Sequence, residues 1–422
     1  MKTKDTHLKE YQKTAVAICR IVVGLVFIFS GFVKAVDPWG FAYKISDYLA
    51  VWDFSFFDFL ALPASFFLSA FEFTLGVCLL TGIYRKIVSW LTFLFMCFMT
   101  VFTLYLAIFN PVSDCGCFGD ALIISNWQTF YKNVVLIIAT FFLFLWYRRM
   151  PRMYSRKYRL RVVVVIVAFI LSVSTYCVLY LPVLDFRPYK IGNNIPELMQ
   201  IPKGANSDVY ETTLVYEKDG VRQDFTMTNY PKENSNWTFV EAINVLIKKG
   251  YEPPIHDFTI RTDTGDDITD EVLADEGYTF LLIATNLEKA DDANIANINS
   301  VYDYSVEHGY RFLCLTASIP YSINEWKEST GAEYPFCTTD GITLKTIIRS
   351  NPGLMLIKGG VIINKWPGRC IPGDADLQVP LENSALGVSP ANHDVRNVLL
   401  LALALFIPLL IIWILNQKNK KK

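Results

Sequence analysis

The chain has 422 residues, of which 52% are hydrophobic and 19% charged, with a formal net charge of −1. So apolar a composition, with positive mean hydropathy, excludes a single ordinary water-soluble domain. The near-neutral balance supplies no global field for a nucleic-acid partner, and the Lys and Arg residues are instead gathered in short stretches between apolar runs.

A helix needs about 20 apolar residues to cross a hydrocarbon core of about 30 Å. Runs of that length extend from about Thr14 to Val36, Leu62 to Gly82, Ile87 to Phe109, Trp127 to Tyr147 and Val162 to Pro182, with a sixth from about Val398 to Leu415. The first carries Arg20 and Lys34 and ends without a small-residue cleavage site, so it reads as a retained helix and not a signal peptide. The short-loop cations are Lys2, Lys4, Lys9 and Lys13, then Arg85-Lys86, then seven Arg or Lys between Arg148 and Arg161, and last Lys418, Lys420, Lys421 and Lys422. An even number of crossings separates these groups, so the positive-inside rule predicts cytoplasmic termini and puts the loop 110–126 and residues 183–395 outside. In a bacterial envelope this is a multi-pass inner-membrane protein with a periplasmic domain and membrane lipid around it.

Two ionisable residues lie deep in the spans, where an unpaired charge costs several kcal/mol. Arg20 is expected to reach from the first span to Glu72 in the second, either as a structural pair or as a proton relay or quinone contact. Lys34 is expected to snorkel to the outer interface. The aromatic-rich loop from Trp39 to Phe59 is expected to lie along that interface and to shield a cavity beneath the next motif.

That motif is Ser113-Asp114-Cys115-Gly116-Cys117-Phe118-Gly119-Asp120. Of nine cysteines, Cys19, Cys78, Cys97 and Cys177 sit in apolar segments, where thiols act as small hydrophobes. Cys115 and Cys117 approach bonding distance only in a tight ring, for which Gly116 frees the backbone; such a bridge is strained and suited to exchange. A permanent staple is the alternative. A zinc site is the other, but His7, His256, His308 and His393 are all distant in sequence, and two thiolates alone do not complete one.

Beyond the fifth span, residues 185–253 are polar and turn-rich. Tyr210 to Tyr216 and Asp224 to Thr228 alternate around Asp219-Gly220, which predicts a hairpin; Phe239 to Lys249 is expected to be a helix ended by Gly250. After Pro253-Pro254 the pattern becomes α/β. Strands are expected at Thr279 to Ala284, Arg311 to Thr316, Leu354 to Lys358 and Val361 to Trp366, the last two joined by Gly359-Gly360, with helices near Ala293 to Glu307, Ile323 to Ser329 and Ile342 to Arg349.

This order, with Pro254-Ile255-His256-Asp257-Phe258 and Asn351-Pro352, resembles the thioredoxin-like fold in its peroxiredoxin or TlpA-like form. The resemblance implies a cis Pro352 beside the active site. It also implies a Cys-x-x-Cys after the first central strand, where this chain reads Asn286-Leu287-Glu288-Lys289-Ala290-Asp291-Asp292, so the domain is redox-degenerate or rewired. Cys314 reads as inert core. Cys337, expected in an accessible loop, and Cys370, beside Arg369, are the candidate replacement thiols, or partners in a disulfide.

The first half resembles the MauE/DoxX family of four-helix membrane proteins. The resemblance is carried by Arg20, Gly24, Ser30-Gly31, Lys34, Asp37-Pro38, Glu72, Gly76, Cys115-Gly116-Cys117-Phe118-Gly119, Trp127 and Lys132-Asn133. It implies either maturation of a disulfide-rich periplasmic enzyme or electron passage from sulfur compounds to quinone, with Arg20, Glu72 and Lys132 as the cofactor-facing residues. The expected fold is therefore an α-helical membrane bundle over 14–148, a fifth span at 162–182 and a small β-rich region at 185–253. An α/β thioredoxin-like extracytoplasmic domain at 254–372 and a sixth span at 398–415 complete it. Two functions follow: a membrane thiol–disulfide redox protein acting on an external thiol partner, with Cys115, Cys117, Cys337 and Cys370 as its reactive residues, or a non-catalytic receptor or assembly factor that binds a periplasmic client.

Overall fold

The computed structural model describes residues 2–112, 114–206, 209–231, 236–248, 250–390 and 394–421. In lipid the backbone has no solvent partner, so apolar runs fold as helices that satisfy their own N–H and C=O groups. They form α1 (Lys2–Val36), a shorter α2 (Pro38–Val51), α3 (Ala61–Thr81), α4 (Arg85–Phe109), α5 (Asn126–Leu145) and α6 (Arg156–Leu179). With the C-terminal helix described below, six helices among the described residues are long and apolar enough to span a membrane. Phe67, Leu94, Phe98, Val101 and Ile138 point outward and are more than half exposed, a surface that lipid covers and water would not tolerate. The chain is a multi-pass membrane protein.

The crossing of α1 and α3 is set by glycine. A Cβ on Gly31 would stand 2.5 Å from the Phe73 amide nitrogen, and one on Gly76 would stand 2.7 Å from the Gly24 carbonyl oxygen, so the two backbones touch only because these side chains are missing. That register sets residue 30 across from residue 72. It leaves Arg20 about ten residues, or roughly 15 Å, further along α1. The segment 39–59, expected as an interfacial loop, is instead mostly the helix α2, capped by Asp37, whose carboxylate accepts from the Gly40 amide at 2.9 Å.

A five-residue helix α7 (Ile195–Met199) precedes a three-stranded antiparallel sheet of β1 (Val209–Lys218), β2 (Val221–Thr226) and β3 (Thr238–Lys248), in the order β2-β1-β3. The hairpin turn Asp219-Gly220 has φ of 51° and 78°, as a two-residue turn of this hand requires. The helix expected at 239–249 is strand β3. Val240, Ile243, Val245 and Ile247 favour an extended chain, and pairing with β1 sets the Tyr216 and Phe239 rings 5.6 Å apart; Lys249 lies outside the described residues.

The α/β part follows as α8 (Thr269–Ala274), β4 (Tyr278–Ala284), α9 (Ile295–His308), β5 (Arg311–Thr316), α10 (Pro320–Thr330), β6 (Phe336–Thr338), α11 (Gly341–Ile347), β7 (Gly353–Lys358) and β8 (Val361–Pro367). Its sheet runs β6-β5-β4-β7-β8, with β4, β5 and β6 parallel and β7 and β8 an antiparallel hairpin turned at Gly359-Gly360. β4 is buried along its whole length between two apolar cores, one containing Leu281, Ile283 and Met355, the other Phe280, Leu282 and Leu356. The Asn351–Pro352 bond is cis. This is the thioredoxin-like arrangement. Tyr189 and Ile195 pack into the first of these cores. The chain then returns to the membrane as α12 (Asp394–Lys421), pinned to α6 by the buried Asn416, which bonds the Ser155 amide at 3.0 Å and the Met153 carbonyl at 3.1 Å.

Candidate functional site

The loop between α4 and α5 turns back over the bundle. Asp114 stabilises the turn by accepting from the Gly116 amide at 2.8 Å and pairing with Lys44 of α2 at 2.6 Å; Gly116 takes φ 67°, with Lys44 packed where a Cβ would go. Ser113 lies outside the described residues. Cys115 and Cys117 are thereby brought to face each other, free thiols with Sγ atoms 2.8 Å apart, both buried. Tyr48 of α2 covers them, its hydroxyl donating to the Cys115 carbonyl at 3.0 Å, and with Leu106 it closes an apolar cap around the sulfurs.

The main chain of Cys117 is gripped from below. Ser30 Oγ donates to its carbonyl at 2.7 Å and Lys34 Nζ at 2.9 Å; the same Lys34 ammonium bonds Ser30 Oγ at 2.7 Å and Glu72 Oε2 at 2.7 Å. Lys34 is only 3% exposed. It does not snorkel outward, because the α1/α3 register presents Glu72 one turn below it and its three protons all find acceptors. Arg20 does not pair with Glu72 for the same reason. It lies too far along α1, and its Nε and Nη1 are buried with no hydrogen-bond partner among the described residues. Lys132 of α5 sits over the Phe118 ring at 4.3 Å. Between these groups is a cavity of about 30 Å³ walled by Ser30, Glu72, Cys117, Phe118, Lys132 and Asn133, which is room for one or two waters.

The two sulfurs are hydrogen-bonded to each other; that bond, aided by Lys132 and Lys34, lowers the Cys117 thiol against its burial and the Glu72 charge, while the same bond and burial raise Cys115. One sulfur is thus prepared as a nucleophilic thiolate and the other as its proton-holding neighbour.

A second, charged contact joins this loop to the α/β domain. Arg349, just after α11, spans Asp37 and Asp120: its Nε lies 3.0 Å from both Asp37 oxygens, and its Nη2 lies 2.8 Å from Asp37 Oδ2 and 3.0 Å from Asp120 Oδ2. Tyr43 of α2 lies beneath the guanidinium at 5.5 Å. Burial alone would raise the Asp37 carboxyl, yet Arg349 and Arg187 outweigh it and hold it below the carboxylate range; Asp120 stays above that range because burial wins there. Two residues beyond Arg349, Asn351 Nδ2 donates to the Asn286 carbonyl at 2.7 Å, and the Asn351 carbonyl accepts from the Asp291 amide at 3.0 Å. The segment standing where a Cys-x-x-Cys belongs is therefore anchored to the loop that docks on the membrane bundle.

The structure does not bring Cys337 or Cys370 to this place. Cys337 is in edge strand β6 and not in an accessible loop, 4% exposed and packed in an apolar core, where burial raises its thiol. Cys370 is exposed just after β8, at the opposite edge of the sheet. Four strand spacings, about 19 Å, separate the two edges, so these thiols stay free and unpaired. Cys314 is wholly buried core. Tyr48 and Arg349 are the site residues that sequence reasoning missed; Ser30 and Lys34 were named there only as carriers of the family resemblance, with Lys34 directed outward.

Among solved structures, a putative protein disulfide isomerase from Bacteroides thetaiotaomicron is 18% identical, covering 26% of this chain and 75% of that one, with a TM-score of 0.22. An uncharacterized conserved protein from Geobacillus kaustophilus is 11% identical over 32% of this chain and 82% of its own, TM-score 0.25. A hypothetical protein from Sinorhizobium meliloti 1021 is 13% identical over 32% and 85%, TM-score 0.24. No curated protein sequence matches significantly. Residues 210–249, the three-stranded sheet, match a domain of unknown function, DUF8463. Residues 12–147, the bundle that holds Cys115 and Cys117, match the family described as methylamine utilisation protein MauE.

Proposed function

We propose that this is an inner-membrane thiol–disulfide exchange protein, with cytoplasmic termini and a periplasmic α/β domain, in which Cys115 and Cys117 are the reactive pair. The observation that supports it most is the pair itself: two buried thiols 2.8 Å apart, one biased toward thiolate by its hydrogen bond with the other and then by Lys132 and Lys34. A structural staple has no use for one sulfur lowered toward thiolate beside the other. The Cys117 thiolate attacks a partner disulfide, forming a mixed disulfide and releasing one partner thiolate; Cys115 then loses its proton, attacks Cys117 Sγ and releases the second. Two electrons pass to the partner, and the Cys115–Cys117 disulfide is left. The reverse direction oxidises a partner dithiol, and a membrane quinone is the proposed final acceptor.

A second reading keeps the pair as a staple and makes the α/β domain a client-binding receptor or assembly factor. Asn286 to Asp292 favours it, since no thiol stands where the fold ordinarily carries its own. Cys115→Ala separates the two. Exchange predicts that Cys117 in this variant accumulates a mixed disulfide with a periplasmic partner, whereas the receptor reading predicts client binding that survives loss of both thiols.

A further inference from the structure

The cavity beside Cys117 contains one carboxylate that the exchange steps do not use. Glu72 is buried on α3 and walls the space that Cys117 shares with Lys132, and Lys34 bonds its Oε2. The charges there do not balance with neutral thiols: Lys34 and Lys132 are positive, and Glu72 alone is negative. On the far side of the sulfurs stand Tyr48 and the Lys44–Asp114 pair of α2 and its loop partner, which is internally neutral. With either the Glu72 carboxylate or a Cys117 thiolate as the one anion the net charge is the same, so a proton can pass between the two without adding a buried charge.

We propose that Glu72 is the internal proton acceptor of the Cys115–Cys117 pair. This rests on the exchange reading above. When a partner dithiol reduces the Cys115–Cys117 disulfide, the S–S bond of the pair breaks and one forms in the partner, with two electrons passing inward. Of the partner's two thiol protons, one ends on Cys115 Sγ and the other crosses the cavity to the Glu72 carboxylate, leaving Cys117 as thiolate. Lys34 then exchanges one anion for another: its 2.7 Å contact with Glu72 becomes a bond to a neutral carboxyl, while the new thiolate sits beside the carbonyl that Lys34 already holds at 2.9 Å. The number of buried charges never rises, which is what makes a thiolate tolerable in so dry a place. On reoxidation the proton leaves Glu72 and the Lys34 ion pair re-forms.

Reaction-induced infrared difference spectra of the full-length protein in lipid test this, with dithiothreitol as the reductant and site-resolved alkylation to verify reduction of the pair. The expected result is a protonated-carboxyl C=O band that appears on reduction, is lost in Glu72→Gln and in Cys117→Ser, and persists at a shifted frequency in Glu72→Asp. Glu72→Asp keeps the experiment decisive if Glu72→Gln does not fold. A pair that is reduced without such a band, or a band unchanged in Glu72→Gln, overturns the role of Glu72 and leaves the exchange reading standing. A pair that dithiothreitol does not reduce overturns the exchange reading itself.

Discussion

Arg349 and Asp37 are 312 positions apart in sequence, yet the guanidinium lies 2.8 to 3.0 Å from both oxygens of the carboxylate, holding the α/β domain against the helix that covers the thiol pair. The geometry is bidentate and nearly dry, with Arg349 at 7% exposure, so removing one partner strands a buried charge. Arg349→Ala should cost about 3–5 kcal/mol of docking energy and should expose Cys115 and Cys117 to membrane-impermeant maleimide. Arg349→Lys, which keeps the charge and loses the fork, should give an intermediate rate. Labelling unchanged in both variants would mean that the clamp does not close the site.

None of this clamp was legible in the sequence. Arg349 ends an ordinary amphipathic helix and Asp37 an ordinary span, and no periodicity relates them. The strands at 278–284, 311–316, 353–358 and 361–367 were legible, because buried apolar runs bounded by turns leave little choice. Strand β3 was misread because Glu241, Asn244 and Lys248 interrupt its pattern at a helical interval, and only pairing with β1 overrules it. The partner of Glu72 was misassigned since charge alone cannot give the register; the close contacts at Gly31 and Gly76 give it.

Lys34 and Glu72 should therefore couple energetically and Arg20 and Glu72 should not. Glu72→Leu alone leaves a buried ammonium, a loss of about 3–5 kcal/mol, while Lys34→Met with Glu72→Leu should recover much of it. In folded yield or thermal midpoint the 34/72 double-mutant cycle should show a coupling above about 1 kcal/mol, and the 20/72 cycle should be additive within about 0.5. The opposite outcome would move the ion pair back to Arg20.

The base of the α/β domain should respond to alkaline pH. Burial depresses the Lys365 ammonium to about 8, against the attraction of Asp185, to which its Nζ lies at 3.2 Å. A lysine with a depressed native pKa binds fewer protons folded than unfolded between about 8 and its ordinary value near 10.4, so folding stability rises with pH across that window. The gain should approach about 3 kcal/mol and be absent below pH 8, where both states are protonated. Pulse proteolysis of the α/β domain in urea at pH 7.5 and 10 should show it in the wild type and not in Lys365→Met.

The last expectation concerns the potential of the Cys115–Cys117 couple. Lys132 and Lys34 stabilise the thiolate and hence the reduced form, so the disulfide should be a better oxidant than a scaffold bridge. In graded dithiol buffers it should open at potentials where structural disulfides, typically below about −300 mV, remain closed. Lys132 contributes through charge and, among the described residues, meets the Phe118 ring and neither sulfur, so Lys132→Gln should lower the midpoint without unfolding the loop. A tenfold loss of thiolate preference corresponds to about 30 mV for the two-electron couple. If a quinone is the acceptor, reduced protein in lipid should reoxidise faster when one is supplied, and Cys115→Ser should abolish that acceleration while abundance holds. A pair that resists reduction, ignores quinone and destabilises the protein when Cys115 is replaced would instead be a staple, and the receptor reading would take its place.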